Sequence, residues 1–129
     1  MRAVLAQIER CNPTLNAIVA RLDDRECLAL AERADQELAR GVAVGQLHGL
    51  PTAIKDAEPA SGFPWTRGSL IFANDRPVTD SVLVERIRRA GAIPIGKTNI
   101  SEFTMGSHTY NRVYGTTVNP YDPTKSAGG

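Results

Sequence analysis

The sequence predicts an α/β fold whose sheet is incomplete within these residues, and three observations predict it. A strand, a crossover that contains a helix and a second strand span residues 50–95, an order that favours a parallel pair. An amphipathic helix with charge on its outer face precedes them over residues 23–40. Residues 107–129 are rich in loop chemistry and supply no further helix, although a parallel sheet buries both of its faces. The 129 residues therefore read as a single partial domain.

Each element follows from local chemistry. Val4, Leu5 and Ile8 recur at helical spacing, and Asn12-Pro13 is expected to close this first helix because the residue before a proline is pushed out of the helical region. In the second helix Cys27, Ala31, Ala34 and Leu38 form the apolar stripe, Leu28 widens it, and Gly41 caps the end behind Arg40. After a turn at residues 45–49, residues 50–55 read as a short strand that ends on Lys55. Residues 56–79 carry Pro59, Gly62, Pro64, Gly68, Asn74 and Pro77 and read as a long loop, a feature that in compact domains accompanies function. Asp80 is the expected N-cap of a helix through Ala90, with Leu83 and Ile87 one turn apart and Arg86, Arg88 and Arg89 toward solvent. Gly91 stops that helix, residues 92–95 suit a buried strand, and residues 99–106 contribute a helical turn.

Composition removes several function classes. Hydrophobic residues at 42% and charged residues at 22% match an ordinary soluble domain and exclude a disordered or coiled-coil chain. A net charge of +1 gives no pull toward nucleic acid or an anionic membrane, so neither partner is expected. The apolar stretches are short and the N-terminus mixes charge into its pattern, which points to a cytoplasmic location. Cys11 and Cys27 lack CxxC spacing and neighbouring histidines, so they read as small apolar residues rather than a disulfide or a zinc site.

Two motifs carry chemistry. Gly91-Ala92-Ile93-Pro94-Ile95-Gly96-Lys97-Thr98 matches the phosphate-loop pattern G-x-x-x-x-G-K-[ST] letter for letter. Its context is wrong, because a helix precedes the first glycine and Ala-Ile-Pro-Ile suits a buried strand, so nucleotide binding through Lys97 is the lesser alternative. Lys55-Asp56 stands at the C-terminal end of a strand, where α/β folds place reactive groups, and a lysine whose charge is disfavoured by burial can serve as a general base. Taken alone, the pair fits better a solvated lysine beside its own counter-ion. His48 and His108 lie far apart and read as loop histidines. Asn99-Ile100-Ser101 is a glycosylation pattern with no signal-peptide core ahead of it, and Asn119-Pro120-Tyr121-Asp122-Pro123 is a turn.

Taken together, four stretches resemble the amidase signature family in order and spacing. They are Gly49-Leu50-Pro51-Thr52-Ala53-Ile54-Lys55-Asp56; Gly96-Lys97-Thr98-Asn99 with Glu102-Phe103; Met105-Gly106-Ser107; and Asn119-Pro120-Tyr121-Asp122-Pro123 leading to Gly128-Gly129. The likeness covers essentially the whole chain, since residues 8–40 also resemble the paired helices ahead of that family's signature region. It implies an α/β fold on a mixed sheet and a serine, cis-serine, lysine triad that hydrolyses carboxamides without a metal or organic cofactor. Lys55 matches the triad lysine, a neutral base acting through the bridging cis-serine on the nucleophile. Asp56 is then expected to orient that lysine or cap a loop, and Thr104-Met105-Gly106-Ser107 to line the pocket.

The departures from the family pattern set the functional expectation. The family's cis-serine follows a Gly-Gly pair, and this sequence reaches that pair at Gly128-Gly129, while Ser126 precedes it and matches neither serine. Met1 likewise falls within what resembles the family's first helix. The expectation is an amidase segment that contributes the lysine and is inactive alone, with a small-molecule amide as substrate of the complete enzyme and the missing C-terminal portion as partner. A folded, non-catalytic segment that self-associates or binds a partner is the alternative. Ala57, where the family commonly has asparagine, and Trp65 are expected to act on pocket shape or packing.

Overall fold

The computed structural model describes residues 1–128. Helix α1 (Arg2–Leu15) and strand β1 (Ile18–Arg21) lead into α2 (Asp24–Ala39). Strand β2 (Pro51–Lys55), helix α3 (Val82–Arg89) and strand β3 (Ile93–Thr98) follow, and a short hairpin of β4 (Tyr110–Asn111) and β5 (Gly115–Thr116) comes last. As the crossover predicts, β2 and β3 pair in parallel, from Pro51 against Ile93 to Lys55 against Thr98. On its other side β3 takes β1 antiparallel, with Ile18 opposite Thr98, so the three-stranded sheet is mixed in the order β1-β3-β2.

The central position of β3 explains its burial and its length. Every residue from Ile93 to Lys97 is buried, and the strand runs past the expected 92–95 to Thr98 because both neighbours bond to it there. Gly96 is required by the packing of β1: a Cβ at this position would stand 2.6 Å from the Ala20 carbonyl oxygen. One core gathers Leu5, Cys27, Ile93 and Ile95 with Ile8, Leu28, Ala31 and Ala34 from the first two helices. The other joins Ile54, Ala60, Phe63 and Val84 with Ile87, packing α3 and the start of the long loop together. Cys27 is buried and Cys11 half-buried, both as free thiols, and burial pushes the Cys27 thiol up. No helix of the described residues is long and apolar enough to cross a membrane.

Four local expectations are corrected. Helix α1 does not stop at Asn12-Pro13 but includes Pro13 in its last turn and ends at Asn16 in a left-handed conformation (φ 50°). A proline there removes one backbone bond, and the Asn12 side chain supplies three: its oxygen accepts from the Ala17 and Ile18 N–H groups (2.9 and 2.8 Å) and its amide donates to the Ile18 carbonyl (2.8 Å). Ser81 rather than Asp80 caps α3, its hydroxyl accepting from the Val84 N–H at 3.3 Å. Asp80 instead accepts from the Ser61 N–H (2.7 Å) and pairs with Arg88 (2.9 Å), which holds the long loop to the helix. The inward face of α3 is accordingly Val84 with Ile87, leaving Leu83 52% exposed; in α2, Leu38 falls off the stripe at 61%.

Candidate active site

Lys55 is the last residue of β2 and lies beside Thr98 at the same end of β3, where two parallel strands deliver their C-terminal ends. Successive residues of an extended chain point to opposite sides. Lys55 is exposed and Asp56 fully buried, so the expected pairing of the two does not form. Asp56 turns inward to Lys97 at 3.5 Å. The burial expected to favour a neutral amine is not supplied to Lys55 by the described residues.

Beneath Lys55 lies a buried polar cluster. The Asp56 carboxylate accepts from the Thr66 hydroxyl (2.6 Å) and the Thr66 N–H (3.2 Å), which fastens a loop, one of the two roles expected of it. Lys97 is fully buried and also donates to the Glu58 carbonyl. Burial pushes its ammonium below the ordinary lysine range, against the opposing pull of the Asp56 carboxylate. This placement overturns nucleotide binding by the Gly91 to Thr98 motif. Gly96, Lys97 and Thr98 sit in a central strand rather than at a helix N-terminus, and the lysine's charge is already spent inside the protein. Tyr114 approaches the same cluster; burial, followed by the Asp56 charge, pushes its phenol above the ordinary tyrosine range while a bond with Thr66 acts against both.

Strain collects beside this cluster. Among the described residues, the non-glycine positions with left-handed φ are Asn16, Arg67, Phe103 and Thr104. The last three, at 55°, 52° and 60°, line one cavity of about 170 Å³ together with Ala57 and Ile100. Such backbone costs of the order of 1–3 kcal/mol per residue and concentrates at binding sites, where the surroundings over-determine it. Ala57 and Ile100 each follow by two residues the Lys55–Thr98 pair that ends the strands, which places the cavity at that end of the sheet. The Arg67 guanidinium is stacked between Trp65 (3.6 Å) and Phe72 (3.9 Å) and pairs with Asp75 at 3.4 Å. Trp65 in turn donates its indole N–H to the Ala57 carbonyl (3.0 Å), so Ala57 lines this pocket and Trp65 packs against two residues of its wall. Of the expected pocket residues, Thr104 lines this cavity, Met105 lines a neighbouring one of about 400 Å³, and Gly106 and Ser107 line neither.

The remaining sequence candidates have structural partners. His48 Nε2 lies 2.9 Å from the Ala34 carbonyl, and His108 Nδ1 lies 2.9 Å from the Ser126 hydroxyl. Asn99 is buried and its amide donates to Gly115 O (3.1 Å) and Thr117 Oγ1 (3.0 Å), which closes the glycosylation pattern. The Gly128 carbonyl accepts from the Thr109 hydroxyl at 3.2 Å, and Gly129 lies outside the described residues. Thr66, Arg67 and Tyr114 escape sequence reasoning, since nothing periodic marks a polar residue in a loop that folds back on a strand end.

The Amidase family model matches residues 1–129. A glutamyl-tRNA(Gln) amidotransferase subunit from Chloroflexus aurantiacus is 43% identical over 127 residues, covering 98% of this chain and 26% of the relative. Its counterpart from Lachnospira eligens is 43% identical over 129 residues, covering 100% of this chain and 27% of the relative. The chain thus spans about a quarter of the length of these curated relatives. Among solved structures, a bacterial aryl acylamidase of the amidase signature family superposes with a TM-score of 0.90 at 28% identity, over 99% of this chain and 27% of that one. A chain from a vestigial protein complex connected with the origins of an s-triazine catabolic enzyme superposes at 0.88 with 36% identity, over 99% of this chain and 28% of that one. A family match from end to end, on a backbone shared with amidase signature enzymes, establishes that this chain belongs to the amidase family.

Proposed function

We propose that these residues supply the general base of an amide-hydrolysing site, with Lys55 as that base and the two serines contributed by family sequence that follows Gly128-Gly129. The observation that carries this reading is the placement of Lys55 at the end of the parallel strand pair, the same end of the sheet as a cavity built from strained residues. In the reaction, the neutral Lys55 amine withdraws a proton from the bridging cis-serine, which withdraws one from the nucleophilic serine. The nucleophile attacks the amide carbonyl, and backbone N–H groups hold the oxyanion. The amine leaves with the proton returned through the same relay, and water then hydrolyses the acyl-enzyme. The exposure of Lys55 among the described residues agrees with a site whose cover comes from the serine-bearing part. The substrate class is a small-molecule carboxamide, and each proton and acyl transfer in this reaction is carried by side chains and water.

The test mixes the purified chain with the glycine- and serine-rich remainder of a family relative and follows release of arylamine from simple anilides. Hydrolysis by the mixture, with neither part active alone, is the expected result. Hydrolysis by this chain alone, or a silent mixture in which sedimentation shows that the two parts have associated, contradicts it.

A further inference from the structure

The turn after Lys55 is held from below at each of its next three residues. Asp56 N–H donates to the Thr98 carbonyl (3.1 Å), the Ala57 carbonyl accepts from Trp65, and the Glu58 carbonyl accepts from Lys97. Lys97 engages this turn twice, through the Glu58 carbonyl and the Asp56 carboxylate, and neither charged side chain has any exposure. Asp56 then reaches Thr66, next to Arg67 of the strained cavity, so one ion pair fixes the base-bearing strand end and the cavity wall relative to each other.

Stability alone is a weak account of this pair. Taking an ammonium and a carboxylate out of water costs more than their attraction commonly returns, and neutral residues of similar shape stabilise such a site as well or better. What the ion pair adds is direction: a charge-bearing group aimed at one backbone carbonyl and one carboxylate, both belonging to the turn that follows Lys55. We propose that Lys97 is a positioning residue of the amidase site, setting the place of Lys55 by anchoring Asp56 and Glu58. The proposal rests on Lys55 being the base, but the anchoring is observable without catalysis.

The experiment is amide hydrogen exchange on the 129-residue chain, read by NMR, in the parent, in Lys97→Met/Asp56→Asn and in Lys55→Ala. The neutral double variant removes the pair without leaving a lone buried charge, so it is expected to melt within a few degrees of the parent. Exchange at the Asp56 and Glu58 amides is expected to accelerate at least ten-fold while the Ile54 and Ile95 amides keep their protection. In the complemented enzyme the same variant is expected to lose at least ten-fold in kcat with KM unchanged. Lys55→Ala should leave all of these amides as protected as in the parent. Retained protection at Asp56 and Glu58 in the double variant overturns the proposal, as does a large fall in its melting temperature with exchange rising uniformly across the sheet, which would mark the pair as a plain stability element. Hydrolysis that survives Lys55→Ala removes the assigned base and leaves the anchoring result standing.

Discussion

Tyr114 reports the charge buried under the strand end. Burial and the Asp56 carboxylate raise its folded-state pKa above the ordinary tyrosine value of about 10. The sign follows from linkage: a group whose folded pKa is raised contributes stability that is fully present below the unfolded value and is lost as pH rises through the folded one. Absorbance at 295 nm across an alkaline titration should therefore show a phenol ionising above the ordinary tyrosine range, a component that Tyr114→Phe removes. Tyr114→Phe should also lose less stability than the parent above pH ~10. Lys97 acts in the opposite sense, because its lowered pKa makes the unfolded chain bind more protons just below the ordinary lysine value, so comparison of Tyr114→Phe with the parent isolates the phenol. At this scale the sequence was informative about the place of Lys55, at a strand end, and misleading about Asp56 and Lys97. Adjacent residues suggest a pair, yet alternation along the strand sends Asp56 inward, and only the parallel register that sets Ile54 beside Lys97 reveals its real partner.

Elements were legible in proportion to their periodicity. Helix α2 and the crossover from β2 through α3 to β3 have clear apolar repeats or runs, and each forms close to where it was expected. Strand β1 was not legible, because its four residues are half-buried or exposed without alternation and its pairing is decided by β3, distant in sequence. Pro13 misled for a related reason: the Asn12 side-chain bonds that sustain the helix end reach forward to Ala17 and Ile18 and depend on β1 being present. Gly96 shows how the same letters change meaning. Read as a phosphate loop it is a backbone hinge, whereas in the strand it is a contact point with β1. Gly96→Ala places a methyl group 2.6 Å from the Ala20 carbonyl oxygen and forces β1 away. The expected loss is about 1–3 kcal/mol by urea denaturation, typical of overpacking in a core; an unchanged midpoint would mean that β1 yields without resistance.

At the scale of the whole molecule the α/β class was legible because a strand, a helix and a strand in that order admit few arrangements. The mixed sheet came with the family resemblance, and the packed structure agrees with it. Large apolar side chains stand open to solvent, among them Ile71 at 79%, Val78 at 91%, Val82 at 64% and Met105 at 77%. Apolar surface marks an association site where it is contiguous. The chain alone is expected to sediment with a coefficient that rises with concentration, and Ile71→Ser with Val78→Ser should reduce that rise; concentration-independent monomers would count against a self-associating segment. Lys55 is the proposed base of the amidase site. Its direct test is kcat/KM for anilide hydrolysis by the complemented enzyme, parent against Lys55→Ala, with both proteins shown to bind the serine-bearing part equally. Loss of a general base predicts a fall of about 10²–10⁴-fold. A ratio within two-fold of the parent would contradict the account and place the base elsewhere.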